Sequence, residues 1–332
     1  MSFVRTRPSP VRRVARLAVR LTGMPLAGLA LRVLRLSSRR AGAAVVYHTV
    51  REQTGETATE LVPAHGVRLF EAQIRHLSRS YRIVPSADLP AAVLARRRGQ
   101  RFPVAITFDD DVPEHVRFAL PVLERHGATA TFFLTGTSLD VPYSFWWERV
   151  QRAVDRGATV PSRNGGEPEI VDRGAIRDVG GEVERLAPAD RARWADELLE
   201  TAGTDPADAG LRRDGVRRLV AAGMTIGFHT RRHDRMPPLD DDALRAAVRD
   251  GRNELEEATG TPLAVIGYPH GRADARVAEA SRDAGFSVGY TTTEVAVTPA
   301  DDPLLLGRLN PSYRSPGHFA VQLVRMLAAA HR

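Results

Sequence analysis

From Ala43 onward the chain alternates short apolar runs with longer stretches in which apolar residues recur at helical spacing. The runs are Ala43–Tyr47, Tyr81–Val84, Val104–Phe108, Thr129–Leu134, Met224–Phe228, Leu263–Tyr268, Phe286–Tyr290 and Leu304–Arg308. Each has the length of a strand buried on both faces. Helical patterns fill the intervals, for example 113–126, stopped by Gly127, and 240–259, stopped by Gly260. Glycine just past a last turn is an ordinary helix stop, because it enters the left-handed conformation without strain. Strand–helix alternation predicts a parallel sheet, and seven or eight units predict a closed or nearly closed barrel. An open doubly wound sheet is the alternative, but no glycine-rich phosphate loop follows the first strand.

One stretch breaks the rhythm. Between Thr135 and Gly223 no strand pattern stands out. An aromatic cluster (Tyr143, Phe145, Trp146, Trp147), a polar Gly/Pro-rich stretch near 161–168 and helical patterns around 188–199 and 211–222 occupy it. This reads as an insertion on a βα loop, spanning about 137–222 of a barrel domain at 41–325. In a barrel such loops lie over the active site. A tail is expected at 326–332, and no internal repeat is visible.

Residues 1–40 form a segment of their own, with ten arginines and no acid. Val11, Val14, Ala18 and Leu21 recur at helical spacing, with Arg12, Arg16 and Arg20 on another face; Pro25 interrupts. Leu29, Ala30, Val33 and Leu34 then stand against Arg32 and Arg35. Arginine inside the apolar run argues against a membrane span, which needs about 20 largely uncharged residues. No small-residue cleavage site follows, so a signal peptide fits poorly. The expectation is a cytoplasmic protein whose basic amphipathic segment contacts the inner face of a membrane. A helix packed on the barrel, or a disordered leader, is the simpler alternative.

Composition narrows the chemistry. The chain has 332 residues, 43% hydrophobic and 26% charged, the profile of a globular protein with a substantial core. It has no cysteine, which excludes disulfides, thiolate metal sites and a cysteine nucleophile. Any metal must be held by His and carboxylates. The formal net charge is +7, and every basic residue is arginine. Nucleic acid is not an expected partner, because no nucleic-acid motif accompanies the charge and aromatics are only 6%.

Three run ends carry chemistry. Val104–Phe108 leads into Asp109, Asp110 and Asp111. Adjacent carboxylates repel unless a cation is near, and neighbours in a strand face opposite ways, so the chain must turn here for two of them to share a site. Asp111, ahead of Val112-Pro113, also suits a helix N-cap. Met224–Phe228 leads into His229-Thr-Arg-Arg-His233, two histidines at the spacing that lets both face one point. The zinc-protease motif requires Glu after the first of them, and Thr230 stands there instead. Two His and one carboxylate leave a fourth position open for water, the layout of a catalytic zinc-type site. Leu263–Tyr268 leads into Pro269, His270 and Gly271, a turn that exposes backbone at the barrel mouth.

Thr107-Phe-Asp-Asp110, His229-Thr-Arg-Arg-His233 and Tyr268-Pro-His-Gly271 resemble the first three motifs of the polysaccharide deacetylases, carbohydrate esterase family four. Val45-Val-Tyr-His48 and Phe70–Leu77 are similar to that family's opening, and the resemblance runs from about Ala43 to near Arg308. It implies a distorted (β/α) barrel of about seven parallel strands with a helical insertion on one βα loop. It also implies a divalent metal, usually zinc, on Asp110, His229 and His233, with Asp109 as base. The backbone at His270 would contribute to an oxyanion hole. The implied activity is deacetylation of an N-acetylated sugar, polysaccharide or glycoconjugate. A deformylase or cyclic-amide hydrolase on the same barrel, or a non-catalytic carbohydrate-binding relative, are the competing readings.

The sequence departs from the pattern in three places. Asp111 replaces the usual glycine, the arginine that often precedes the Tyr-Pro turn is missing, with Gly267 nearby, and no Leu-x-His motif closes the chain. The general acid is therefore open among His115, His48 and His270. Arg308 is placed to orient Asp109. Tyr268, Pro269, Trp146 and Trp147 are the expected substrate contacts, aromatic faces being suited to sugar rings; the simpler role for the tryptophans is to anchor the insertion.

Overall fold

A computed structural model describes residues 24–162 and 166–330. Seven parallel strands make one sheet: β1 Ala43–Tyr47, β2 Arg82–Ile83, β3 Pro103–Asp109, β4 Thr131–Leu134, β5 Thr225–Phe228, β6 Val265–Gly267 and β7 Val288–Tyr290. Their order is β1-β3-β4-β5-β6-β7, and β2 pairs with the start of β3 before β4 takes over that edge. β1 and β3 are buried at every position, as expected of largely apolar strands covered on both faces, and β3 carries Thr107 and Asp109 into the interior with it. The expected eighth strand at 304–308 does not form among the described residues. The segment instead crosses from one sheet edge to the other: Leu306 bridges to Tyr290 of β7 and Leu309 to Val45 of β1. Each bridge meets a different neighbour, so no continuous ladder builds, but the sheet is drawn round into a barrel.

Helices cover the outside: α1 at residues 24–35, α2 Val67–Ser80, α3 Leu89–Leu94, α4 Leu120–Arg125, α5 Trp146–Arg156, α6 Ile176–Val183, α7 Pro188–Ala202, α8 Arg213–Ala221, α9 Asp241–Ala247, α10 Arg252–Thr259, α11 Ala275–Asp283 and α12 Pro316–Ala329. The pattern over 240–259 resolves into two helices separated by Gly251, which holds φ 80°. The expected tail at 326–332 is corrected: Met326 and Leu327 are buried in the last turns of α12.

The layer between sheet and helices forms the main core, and a second cluster (Ala44, Ala105, Phe133, Val265, Tyr290 and Leu306 among them) fills the barrel interior. Phe133 requires two glycines. A Cβ on Gly227 would lie 2.5 Å from its ring, and one on Gly267 2.7 Å.

The insertion between β4 and β5 is narrower than the pattern suggested. α8 buries Val216 and Leu219 in the main core and belongs to the barrel. The rest, α5 to α7, has its own apolar cluster built on Phe145, Trp146, Trp147, Val150, Trp194 and Leu198. It also holds a short antiparallel pair, Thr159–Val160 with Glu169–Ile170, that the sequence did not announce.

Candidate active site

The turn demanded by three successive acids is made at Asp110. This residue has φ 73°, in the left-handed region, and lies immediately beyond β3. Among the described residues the other non-glycine positions with positive φ are Thr230 (52°), His233 (51°) and His270 (57°). All four sit at strand ends on one face of the barrel. Strained backbone of this kind persists only where the surroundings enforce it.

The turn separates the three carboxylates into three environments. Asp109 is gripped by Arg308, whose Nη1 and Nη2 donate to Oδ1 at 2.6 Å and Oδ2 at 2.8 Å. Arg308 is itself fully buried and fixed by donation to Thr291 O at 2.9 Å and Thr107 Oγ1 at 3.1 Å. Burial would raise the Asp109 pKa, but the guanidinium outweighs it and holds the carboxyl at about 2. Asp111 turns the other way. Its carboxylate accepts from the backbone and hydroxyl of Thr135, both at 2.7 Å, and from Ser138 Oγ at 3.3 Å. It braces the β4 exit and is not an N-cap.

Asp110 has the unsatisfied carboxylate. Its Oδ1 is buried with no hydrogen-bond partner. It lies 3.6 Å from His229 Nε2 and 3.4 Å from His233 Nε2. Burial, then Asp109, Glu148 and Asp111, push the Asp110 carboxyl well above its ordinary value. His229 Nδ1 donates to Gly267 O at 2.7 Å, leaving the Nε2 lone pair facing Asp110. Burial holds His229 at about 4 and His233 well below the usual imidazole range, so both are neutral and able to donate to a cation. Ligands bound at roughly 2.0–2.2 Å in a tetrahedron stand about 3.3–3.6 Å apart. An orphaned buried oxygen at that spacing from two ring nitrogens fits a metal ion.

Two concavities of about 410 and 400 Å³ meet at Asp110, Leu61, Val62 and Trp147. The first holds His48, Asp109, the two neutral histidines, His270, Trp146, Glu184 and Asn310. The second continues past Thr49, Arg51, Glu148 and Gln151. Trp147 stacks on Phe145 with ring centroids 4.4 Å apart and lies 4.7 Å from the His233 ring. The tryptophans therefore anchor the insertion and wall the cleft together.

The remaining expected residues divide. His115 does not enter the cleft: its Nε2 faces the backbone carbonyls of Asp109 (3.2 Å) and Asp110 (2.9 Å), and its ring is fully buried. A general-acid role for His115 is withdrawn on that ground. Tyr268 is equally enclosed, its hydroxyl donating to Leu304 O at 2.9 Å, and Pro269 is buried beneath the turn. Neither lines the cleft, whereas the His270 side chain and the Gly271 backbone do. His270 Nδ1 is 3.4 Å from Glu184 Oε1. The arginine missing before Tyr268 has a steric reason, since the Phe133 ring fills the space beside Gly267. Glu184, Asn310 and Leu61 were not found from sequence; they lie in the turn after an insertion helix and in two loops, with no local motif. Glu148, whose Oε2 accepts from Phe145 N at 2.8 Å and whose pKa burial raises to about 7, carried only a helix-start spacing as its signal.

The sequence pattern described as "Polysaccharide deacetylase" matches residues 96–163 and 192–289, leaving out the centre of the insertion. No curated protein matches the chain. Solved structures share the fold. The Streptococcus pyogenes deacetylase PplD, in complex with acetate, aligns with a TM-score of 0.58 at 16% identity, covering 86% of this chain and 98% of that one. A polysaccharide deacetylase from Bacillus cereus gives 0.57 at 16% identity over 85% and 69%. IcaB from Ammonifex degensii gives 0.51 at 18% identity over 84% and 97%.

Proposed function

The chain belongs to the polysaccharide deacetylase family, and from that premise we propose that it is a metal-dependent hydrolase removing acetyl groups from an N-acetylated carbohydrate. The observation that carries the reading is the buried, unpartnered Asp110 Oδ1 between two neutral imidazoles, beside a carboxylate held ionised by a buried guanidinium.

Asp110, His229 and His233 would hold a divalent cation. The all-N/O donor set with an open position favours zinc. Such an ion supplies Lewis acidity and makes a water more acidic. Asp109 is the base that takes the proton of the attacking water. Arg308 keeps it ionised where burial alone would protonate it, and fixes both oxygens so that the carboxylate cannot rotate away. The backbone N–H at His270 supports the developing oxyanion. His48 is the acid for the leaving amine: it lines the cleft with Nε2 4.0 Å from Asp109 Oδ2, and although burial lowers its pKa, the Asp109 carboxylate opposes that shift and favours the protonated ring. His270 is already committed to Glu184.

The test is acetate release from N-acetylglucosamine oligomers, with metal content measured in parallel. Asp109→Asn is expected to lower turnover by at least about a hundredfold, the usual worth of a positioned base, with metal retained. His48→Gln is expected to lower kcat more than it changes KM. Release of formate from N-formyl sugars but no acetate would redirect the reading to a deformylase. Unchanged turnover in Asp109→Asn would remove Asp109 as base.

A further inference from the structure

The helix α1 (residues 24–35) has two apolar faces, and the fold uses one. Ala27 and Leu31 are buried against the barrel, with Leu34 half-buried beside them. Leu26, Leu29, Val33 and Leu36 form a second stripe at helical spacing, and each is about 60% exposed. A soluble helix normally turns polar residues outward, so four large aliphatic side chains in a row on the water side need a covering phase.

Charge identifies that phase. The first acidic residue of the chain is Glu52, and eleven arginines precede it. Arg32 flanks the stripe and is exposed, as are Arg40, Arg97 and Arg98. The loop carrying Arg97 and Arg98 is tied to the helix end by donation from Gly99 N to Arg35 O at 2.7 Å. None of these four exposed arginines forms an ion pair among the described residues. Arg35 is held below its ordinary pKa by burial and by the like charges of Arg101 and Arg32, which marks a positive local field. At the helix end a groove of about 1000 Å³ continues the surface, with Leu36 and Val295 on its apolar wall and Arg39, Arg40 and Arg98 on its rim. Its two carboxylates are occupied locally: Glu294 accepts from Asn310 N, and Asp301 from Thr298 N.

We propose that the stripe of Leu26, Leu29, Val33 and Leu36, with its arginine rim, docks on an anionic lipid bilayer. Aliphatic side chains enter the boundary of the acyl region while guanidinium groups stay at the phosphate level. The geometry sets the orientation. The end of helix α1 is held by Ser80 O and by the Gly99 loop, which lead into β2 and β3, and the turn after it by Arg39 on Ala330 O, so it sits on the side of the barrel where strands begin. The Asp109–Asp110 turn and both neutral histidines are where strands end. Docking through α1 therefore turns the cleft away from the bilayer, towards substrates arriving from water.

The experiment is co-sedimentation of the 332-residue chain with phosphatidylcholine vesicles, with and without phosphatidylglycerol, beside the double variant Leu29→Glu/Val33→Glu. Both positions are exposed, so the variant should fold; an unchanged melting temperature checks this. The wild type is expected to sediment with phosphatidylglycerol vesicles, less so at high salt, and the variant to bind at least about tenfold more weakly. No sedimentation of the wild type overturns the proposal. Equal binding by the variant would place the contact in residues 1–23 and also overturn it. A wild-type dimer that the variant dissociates, without vesicle binding, would assign the stripe to a second copy of the chain.

Discussion

Asp109 and Arg308 are two buried charges that depend on each other. A carboxylate in this position pays heavily for leaving water unless a cation stands against it. The sign of the linkage follows from the pKa. Asp109 in the folded protein sits at about 2, below its ordinary 3.8, so the stability it contributes is complete above the unfolded value and is lost as pH falls through 2. Arg308→Met leaves the carboxylate buried without its partner, and the expected loss at neutral pH is roughly 3–5 kcal/mol. That loss should shrink on acidification, because burial then raises the Asp109 pKa and protonation removes the unpaired charge. Denaturant titrations at two pH values measure it, and an equal loss at both would contradict the account. Arg308→Lys should recover part of the stability but not the two-pronged grip.

At the scale of the element, the site depends on how closely β4, β5 and β6 approach. Phe133 of β4 lies across Gly227 of β5 and Gly267 of β6, with no room for a side chain at either. The same Gly267 supplies the carbonyl that orients His229. Gly227→Ala brings a methyl to 2.5 Å from the Phe133 ring, and overpacking of this kind costs roughly 1–3 kcal/mol. The loss should be smaller in a chain that also carries Phe133→Leu, since the clash is with that ring. A double-mutant cycle of unfolding free energies reads the coupling directly; additive effects would show that the barrel relaxes by another route.

The whole molecule holds several neutral histidines in its interior. His65, His76 and His115 are each held at about 4 by burial, against an ordinary 6.5. The unfolded chain binds protons first on acidification, so their contribution to stability is complete above 6.5 and falls away between 6.5 and 4. The melting temperature is expected to drop across that window, well before the Asp109–Arg308 pair begins to titrate. A melting temperature flat from 6.5 to about 4 would show that these rings are hydrated in the folded state. The same three-dimensional closure joins the two edges of the sheet, since the 304–309 segment bridges β7 to β1 while carrying Arg308 to Asp109.

Periodicity alone placed seven strands and about half of the helices, because runs buried on both faces and glycine stops are local properties of the chain. Asp109, Asp110, His229 and His233 were legible for the same reason: each group follows a strand directly, and residue type with spacing restricts what it can do. Partnership was not legible. Asp109, Asp110 and Asp111 are adjacent in sequence, yet they face a guanidinium, two imidazoles and a threonine, because one left-handed residue turns the backbone between them. His115 looked like an acid from its position and proved to be a brace, since only packing decides which way a buried ring points. Gly267 has no room for a side chain because the Phe133 ring lies against it, and the guanidinium on Asp109 comes from Arg308, far along the chain; both are contacts between segments distant in sequence. Sequence determined which chemical groups stand at the strand ends; closure of the barrel decided which of them meet.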